Sequence, residues 1–165
     1  MQLRFFLCLG LSLLAPAPLF AQDMLQGVDL SQPAYSQSEM TRAEVEAAAK
    51  AGKRDFSGKS LNGLDLSGLD LSGANFRAAR LNKARLSGAT LDGAILDQAW
   101  LMQADLSGAS LKGSHAFAAQ MQRIQADKAD FTGARLAGDL TGASLRGAVF
   151  DGADLSADMK NQSMG

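Results

Sequence analysis

The sequence predicts an all-β solenoid, a chain that turns a corner once per short repeat around a narrow apolar core. Three observations predict it. From Asp55 onward a period of five residues takes over. A large apolar residue stands at every fifth position, usually with a small residue two places before it. The composition is poor in rings and rich in small residues: aromatics are 6% of the 165 residues, against 17 glycines. A globular core of this length normally draws on larger and more varied side chains.

The period decides the architecture. Five residues of α-helix advance about 500°, so successive leucines would scatter around the cylinder. On one continuous strand an odd period would flip each leucine to the opposite face. One buried side results only if the chain turns once per repeat. With i the large central residue, i−2 and i then point inward from a short extended piece and i−1 points outward. Residues i+1 and i+2 make the corner, often as Ser-Gly or Asp-Gly, where glycine accepts left-handed dihedrals.

The expected core is Phe76, Leu81, Leu86, Leu91, Leu96, Leu101, Leu106, Leu111, Phe131, Leu136, Leu140, Leu145, Phe150 and Leu155. Two places depart from the pattern. At 116, 121 and 126 the central residues are Ala, Met and Ala, so Ser114 to Lys128 reads as a weakened coil or a bulge. Between Leu136 and Leu140 one residue is missing, which predicts a local kink.

The repeats Ala74-Asn75-Phe76-Arg77-Ala78, Ala104-Asp105-Leu106-Ser107-Gly108 and Ala129-Asp130-Phe131-Thr132-Gly133 carry a family likeness. Their pattern, Ala-Asp/Asn-Leu/Phe-x-x, resembles the pentapeptide-repeat family over residues 55–156. The resemblance implies a right-handed quadrilateral β-helix with four repeats per coil, here about five coils. It also carries a second functional reading, because some members mimic duplex DNA and protect DNA gyrase from quinolones.

The regions before the repeats are read from local signals. Arg4, the apolar run Phe5 to Leu14, and Leu19-Phe20-Ala21 form a cleavable export signal over residues 1–21. Its apolar run is shorter than the roughly 20 residues that span a bilayer, so no transmembrane span is expected in the mature form. Cleavage near Ala21 would place the protein in the bacterial periplasm or outside the cell. Cys8 lies inside the signal, leaving the mature chain without thiol chemistry or disulfides. Residues 22–40 read as a linker or extended arm. Thr41-Arg42-Ala43-Glu44 fits a capping box, and Gly52 is a helix stop, so 41–52 is expected to hold a short α-helix that caps the first coil. The β-helix then runs over 53–160, and 161–165 is a tail or truncated repeat.

Little in the chain points to chemistry, and no enzyme, metal or cofactor is expected. His115, the lone histidine, has no visible partner. Asp65, Asp70, Asp105 and Asp130 recur at the outward repeat position, a structural cause that does not make a catalytic pair. Glu39, Glu44 and Glu46 belong to the helix start and its surroundings. From Lys53 to Lys160 there are 13 basic and 12 acidic residues, too even a balance for a nucleic-acid partner.

What remains is a surface. Residues twenty apart should stack in columns, setting Arg80, Trp100 and Gln120 in one and Asn82, Met102 and Gln122 in the next. Trp100 and Met102 are expected to face solvent with Ile95 one corner away, and Arg77, Arg80, Lys83 and Arg85 beside them. This patch is the candidate site for a protein partner; the alternative is an Arg80–Trp100 cation–π stack that only stabilises the rod. The last coil is expected to lack a cap, which leaves two readings open: its end docks onto a second copy as a homodimer, or the chain is a shortened version of a longer protein. The sequence thus favours a non-enzymatic structural or interaction module of the bacterial envelope. The gyrase-protecting reading fits worse, since an export signal and a near-neutral rod both argue against it.

Overall fold

The computed structural model describes residues 36–156. The export signal, the arm before Ser36, the end of the repeat region after Ser156 and the tail lie outside the described residues.

Helix α1 spans Arg42–Lys50. Its start is the expected capping box: Glu44 N–H donates to Thr41 Oγ1, while the Glu44 carboxylate accepts from Thr41 N–H at 2.7 Å. Its end is closed by Gly52 at φ +75, with Lys53 N–H reaching back to Ala48 O at 2.9 Å. Val45 and Ala49, one helical turn apart, are buried in the same cluster as Phe56, Leu61 and Leu66.

From Asp55 the chain lies over itself in parallel every twenty residues, through single bridges such as Asp55 to Asn75, Arg80 to Trp100 and Asp105 to Gln125. Four bridges fall in each twenty-residue circuit. We call the four short pieces faces 1 to 4, centred in the first circuit on residues 56, 61, 66 and 71. One bonding rule holds the circuits together. The amide of residue i donates to the carbonyl of i−1 in the next circuit, as Phe56 does to Asn75 at 2.8 Å. The amide at i+2 donates to the next i+1 carbonyl, as Gly58 does to Arg77 at 2.8 Å. The amide at i−1 returns a bond upward, as Asn75 does to Arg54 at 2.8 Å. Both inward positions are then sealed. Leu61, Leu81 and Leu101 line one column with no exposure, with Ala79 and Ala99 beside them. Phe56 and Phe76 stack with ring centroids 5.3 Å apart.

Among the described residues no circuit lies above the first, so the rule leaves its i−1 and i+1 carbonyls without donors. Two arginine side chains and one backbone amide serve several of them. The Arg42 guanidinium donates to Asp65 O at 2.7 Å and to Ser67 O at 2.9 Å. Those are an i−1 and an i+1 carbonyl, the pair a preceding circuit would serve. Arg54 donates to Ser72 O in the same way, and Glu39 N–H to Ser60 O. Arg42→Ala removes two charge-assisted bonds at a half-exposed edge, and about 1–2 kcal/mol of stability should go with them. Urea unfolding of the variant beside Arg42→Lys, which cannot serve both carbonyls with one planar fork, checks the assignment.

The first irregular stretch resolves differently from expectation, while the second is absorbed at one corner as expected. Ser114 to Lys128 is neither weakened nor bulged: the bridges His115 to Arg135 and Gln125 to Ser144 carry the ladder through it. The core is redistributed instead. Ala126 leaves space, and Ile124, two residues before it, fills that space from the position usually held by alanine; both are buried. Phe131 supplies further bulk in the same circuit. Two side-chain atoms in the stretch are poorly served: the fully buried Ser114 hydroxyl and Gln122 Oε1 lack a partner among the described residues.

The missing residue before Leu140 shortens one circuit to nineteen, since Gln120 bridges Asp139. Gly138 now does the work of two positions. It follows Ala137 directly into face 2 and takes the inward slot beneath Ala119, where an added Cβ would lie 2.6 Å from Ala119 O.

One part of the expected core needs correction. Leu155 is 55% exposed, and Leu140, Leu145 and Phe150 are only partly buried. Each earlier circuit is covered by the next, whereas among the described residues no complete circuit lies beneath these four.

Candidate functional site

The recurring aspartates are accounted for by the corner that follows them. The amide at i+1 needs an acceptor, and the aspartate at i−1 of the same repeat supplies it. Asp65 Oδ1 accepts from Ser67 N–H at 3.0 Å, Asp105 from Ser107 at 2.9 Å and Asp130 from Thr132 at 3.0 Å. At three corners where i−1 is not acidic, an aspartate at i+1 of the circuit above takes over. Asp92 accepts from Lys112 N–H at 3.0 Å, Asp97 from Phe117 at 3.0 Å and Asp127 from Arg146 at 2.9 Å. A carboxylate committed to a turn amide is a corner lock, and its charged form is the one that bonds.

The acid response follows. The Ser72 hydroxyl and amide, with Arg54 beside them, hold the Asp70 carboxyl down from the ordinary 3.8 to about 2. Asp65, Asp130 and Asp154 are lowered for the same reason, by the hydroxyl and amide at their own i+1 residues. As pH falls, the unfolded carboxyls bind protons first. The stabilisation is therefore complete above the unfolded value of 3.8 and disappears as pH drops through the lower folded values, near 2 for Asp70. Thermal midpoints should be flat from pH 7 to 5 and fall steeply between pH 4 and 2.

His115 is exposed on face 1 and bridges Ile95 and Arg135. Among the described residues no group of three or more His, Cys, Asp or Glu side chains could hold a metal ion.

The predicted column on face 2 forms, since Arg80 bridges Trp100 and Trp100 bridges Gln120. Trp100 and Ile95 are half-buried. The basic residues do not form one cluster. Arg77 pairs with Asp97 at 3.3 Å, Arg80 reaches Glu39 at 3.9 Å, and Arg85 lies on face 3 against Asp65 at 3.4 Å.

Met102 corrects the expectation. It sits at an outward corner position yet is only 7% exposed. Its column is buried too, with Asn62 at 3% and Asn82 at 1%. The three are linked: Asn62 Oδ1 accepts from Asn82 N–H at 3.0 Å, and Asn82 Oδ1 from Met102 N–H at 3.1 Å. Sequence reasoning placed Met102 and Asn82 in one column but missed that the column is covered. It also missed Phe117, an outward, half-buried ring one corner before face 2. The signal for the asparagine ladder was legible in the sequence, because among the i+1 corner positions only 62 and 82 carry asparagine, and they stand twenty apart.

A second feature marks face 2. Among the described residues seven non-glycine residues adopt left-handed φ values between 52° and 60°, and six of them are i+2 residues bordering face 2: Ala78, Lys83, Gln98, Gln103, Ala118 and Arg123. The corner after face 4 is glycine in every circuit, from Gly73 to Gly152. Each side chain in this conformation costs about 1–2 kcal/mol. The cost is concentrated around the middle three circuits of one face.

The model of pentapeptide repeats matches residues 70–108 and 119–157, in eight copies. The chain belongs to the pentapeptide-repeat family. A pentapeptide-repeat protein of Nostoc PCC 7120, alr5209, is 29% identical, with 73% of this chain covered, 100% of that one and a TM-score of 0.52. Rfr23 from the cyanobacterium Cyanothece 51142 is also 29% identical, over 53% of this chain and 64% of that one, at a TM-score of 0.43. HetL, a Nostoc pentapeptide-repeat protein involved in heterocyst differentiation regulation, is 33% identical over 72% of this chain and 48% of its own, at a TM-score of 0.38. The chain thus spans under two-thirds of the Rfr23 and HetL structures. No curated protein matches it. Pentapeptide-repeat proteins are generally structural or interaction modules, and among the described residues no helix is long and apolar enough to cross a membrane.

Proposed function

We propose that this pentapeptide-repeat protein is a non-enzymatic interaction module of the bacterial periplasm or envelope. It is built as a right-handed quadrilateral β-helix of about five coils, with α1 as its N-terminal cap. One observation carries the reading: the recurring carboxylates are spent on corner amides, which leaves side chains on faces 1 and 2 as the distinctive chemistry. The partner is a protein meeting the surface around Ile95 and Trp100, with Arg77, Arg80, Lys83 and Arg85 at its margins. The signal-like sequence pattern of residues 1–21 supports the compartment. A second copy is the other partner proposed, docking through the last circuit where Val149 and Leu155 are exposed; a single monomeric species by sedimentation equilibrium would remove it.

The compartment is tested by fusing residues 1–30 to a reporter active only outside the cytoplasm. Export is expected. Retention in the cytoplasm would overturn the envelope reading and leave the gyrase-protecting one, which a supercoiling assay with a quinolone then decides.

A further inference from the structure

An asparagine or aspartate followed by glycine is open to attack by its own backbone, because glycine has no side chain to hinder the approach. The sequence holds three such pairs: Asn62-Gly63, Asp92-Gly93 and Asp151-Gly152. All three occupy the i+1 and i+2 positions of corners, with glycine φ values of +66, +66 and +64. The reaction needs a side-chain carbonyl carbon able to swing onto the next amide nitrogen, and a nitrogen able to meet it. The ladder withholds both at two of the pairs.

Asn62 is 3% exposed and held from both ends of its amide. Its Oδ1 accepts from Asn82 N–H at 3.0 Å, its Nδ2 donates to Ser60 Oγ at 3.0 Å, and Gly63 N–H donates to Asn82 O at 2.9 Å. At the second pair, Asp92 Oδ1 accepts from Lys112 N–H at 3.0 Å and from the Ser110 hydroxyl, while Gly93 N–H donates to Lys112 O at 2.8 Å.

Asp151-Gly152 is a matched comparison for Asp92-Gly93. Both pairs stand at the corner after face 4. Both aspartate carbonyls accept from the circuit above, Asp92 O from Gly73 N–H and Asp151 O from Gly133 N–H, each at 2.8 Å. What differs is the circuit beneath. Among the described residues the Asp151 carboxylate has no hydrogen-bond or ion-pair partner, and Gly152 N–H has no acceptor. Both residues are exposed. Asp151 is thus a corner lock with no corner to lock.

We infer that Asp151-Gly152 is a site of spontaneous isoaspartate formation. Gly152 N attacks Asp151 Cγ in its carboxylic acid form. A C–N bond forms, the carboxyl OH and the amide proton leave together as water, and a five-membered succinimide results. Water then adds to one imide carbonyl, and the C–N bond there breaks. Opening at the Asp151 main-chain carbonyl leaves Gly152 joined through Cγ, with no net change in atoms. The main chain gains one methylene, and the carbonyl that accepted from Gly133 becomes a carboxylate. The change falls beside Phe150, whose ring stacks on Phe131 at 5.0 Å, so it loosens the last described circuit at its best-packed point. The inference does not depend on the envelope reading.

The test ages the full-length protein in mildly acidic buffer, folded and, in parallel, unfolded in guanidinium chloride. Peptides are then read by electron-transfer fragmentation, which separates isoaspartate from aspartate. In the folded protein isoaspartate should accumulate at 151, with modification at 62 and 92 lower by about tenfold or more, since their bonds must open first. In the unfolded chain Asp92 should come level with Asp151, and Asn62 should deamidate. Equal modification at 92 and 151 in the folded protein overturns the inference. So does an unmodified 151 over a period in which the unfolded chain reacts. Asp151→Glu, which would need a six-membered ring, should abolish the product, and isoaspartate persisting at the same level in that variant would place the reaction elsewhere.

Discussion

Gly138→Ala should destabilise the protein by about 2–3 kcal/mol, more than alanine at any corner glycine with open space around it. Gly138 lies outside the left-handed region, so dihedral preference is not the reason. The reason is contact. An added Cβ would sit 2.6 Å from Ala119 O and 2.7 Å from Met121 Cε. The methionine end can swing away, but the carbonyl cannot. Ala119 O accepts from Asp139 N–H at 3.0 Å, and that bond restores the ladder after the missing residue. Gly152 is the control. It has φ +64 and nothing within 4 Å of an added Cβ, so Gly152→Ala should cost only about 1 kcal/mol. Equilibrium urea unfolding of both variants decides, and equal losses would show that the short circuit is not held as described.

Leu101→Ala should cost about 3 kcal/mol, within the usual range for a fully buried leucine. Leu101 has no exposure and stacks between Leu81 and Met121. Ala99 and Ala104 are its inward neighbours in the same circuit, and neither side chain can extend into the void. Its circuit also has one below and one above, so loss of packing is felt on both sides. Leu155→Ala is the contrast, since a residue 55% exposed has little transfer energy to lose and should cost under about 1 kcal/mol. Together the two variants separate a sealed core column from an open last circuit by calorimetry or urea titration.

The parts of the fold legible in the sequence were those set by local periodicity. The five-residue period placed Leu81, Leu101 and Arg80–Trp100–Gln120 in their columns, because stacking at twenty residues follows from four corners per circuit. The capping box at Thr41–Glu44 marked the start of α1 for an equally local reason. What stayed hidden depends on contacts across the chain. An outward repeat position says that Met102 leaves the core, and says nothing of what lies over it. Arg42 meets Asp65 and Ser67 only after the helix has folded back over the first circuit. The missing residue at 136–140 was visible, but the step of Gly138 into the inward slot beneath Ala119 was not. At 126 the small central residue suggested weakness, while the compensating bulk lay two positions earlier in Ile124. The borders of face 2 were readable as absent glycines, yet their meaning required knowing which corners flank one face.

The recurring carboxylates lock corners. Carbon-detected NMR titration of the aspartate carboxyls tests this directly. Asp55, Asp65, Asp70, Asp127, Asp130, Asp139 and Asp154 should all titrate below 3.8, with Asp70 near 2, and each titration should move the amide shift of the corner residue that it accepts from. A carboxyl among them that titrates above the ordinary range, as one member of a proton-sharing pair does, would contradict the account.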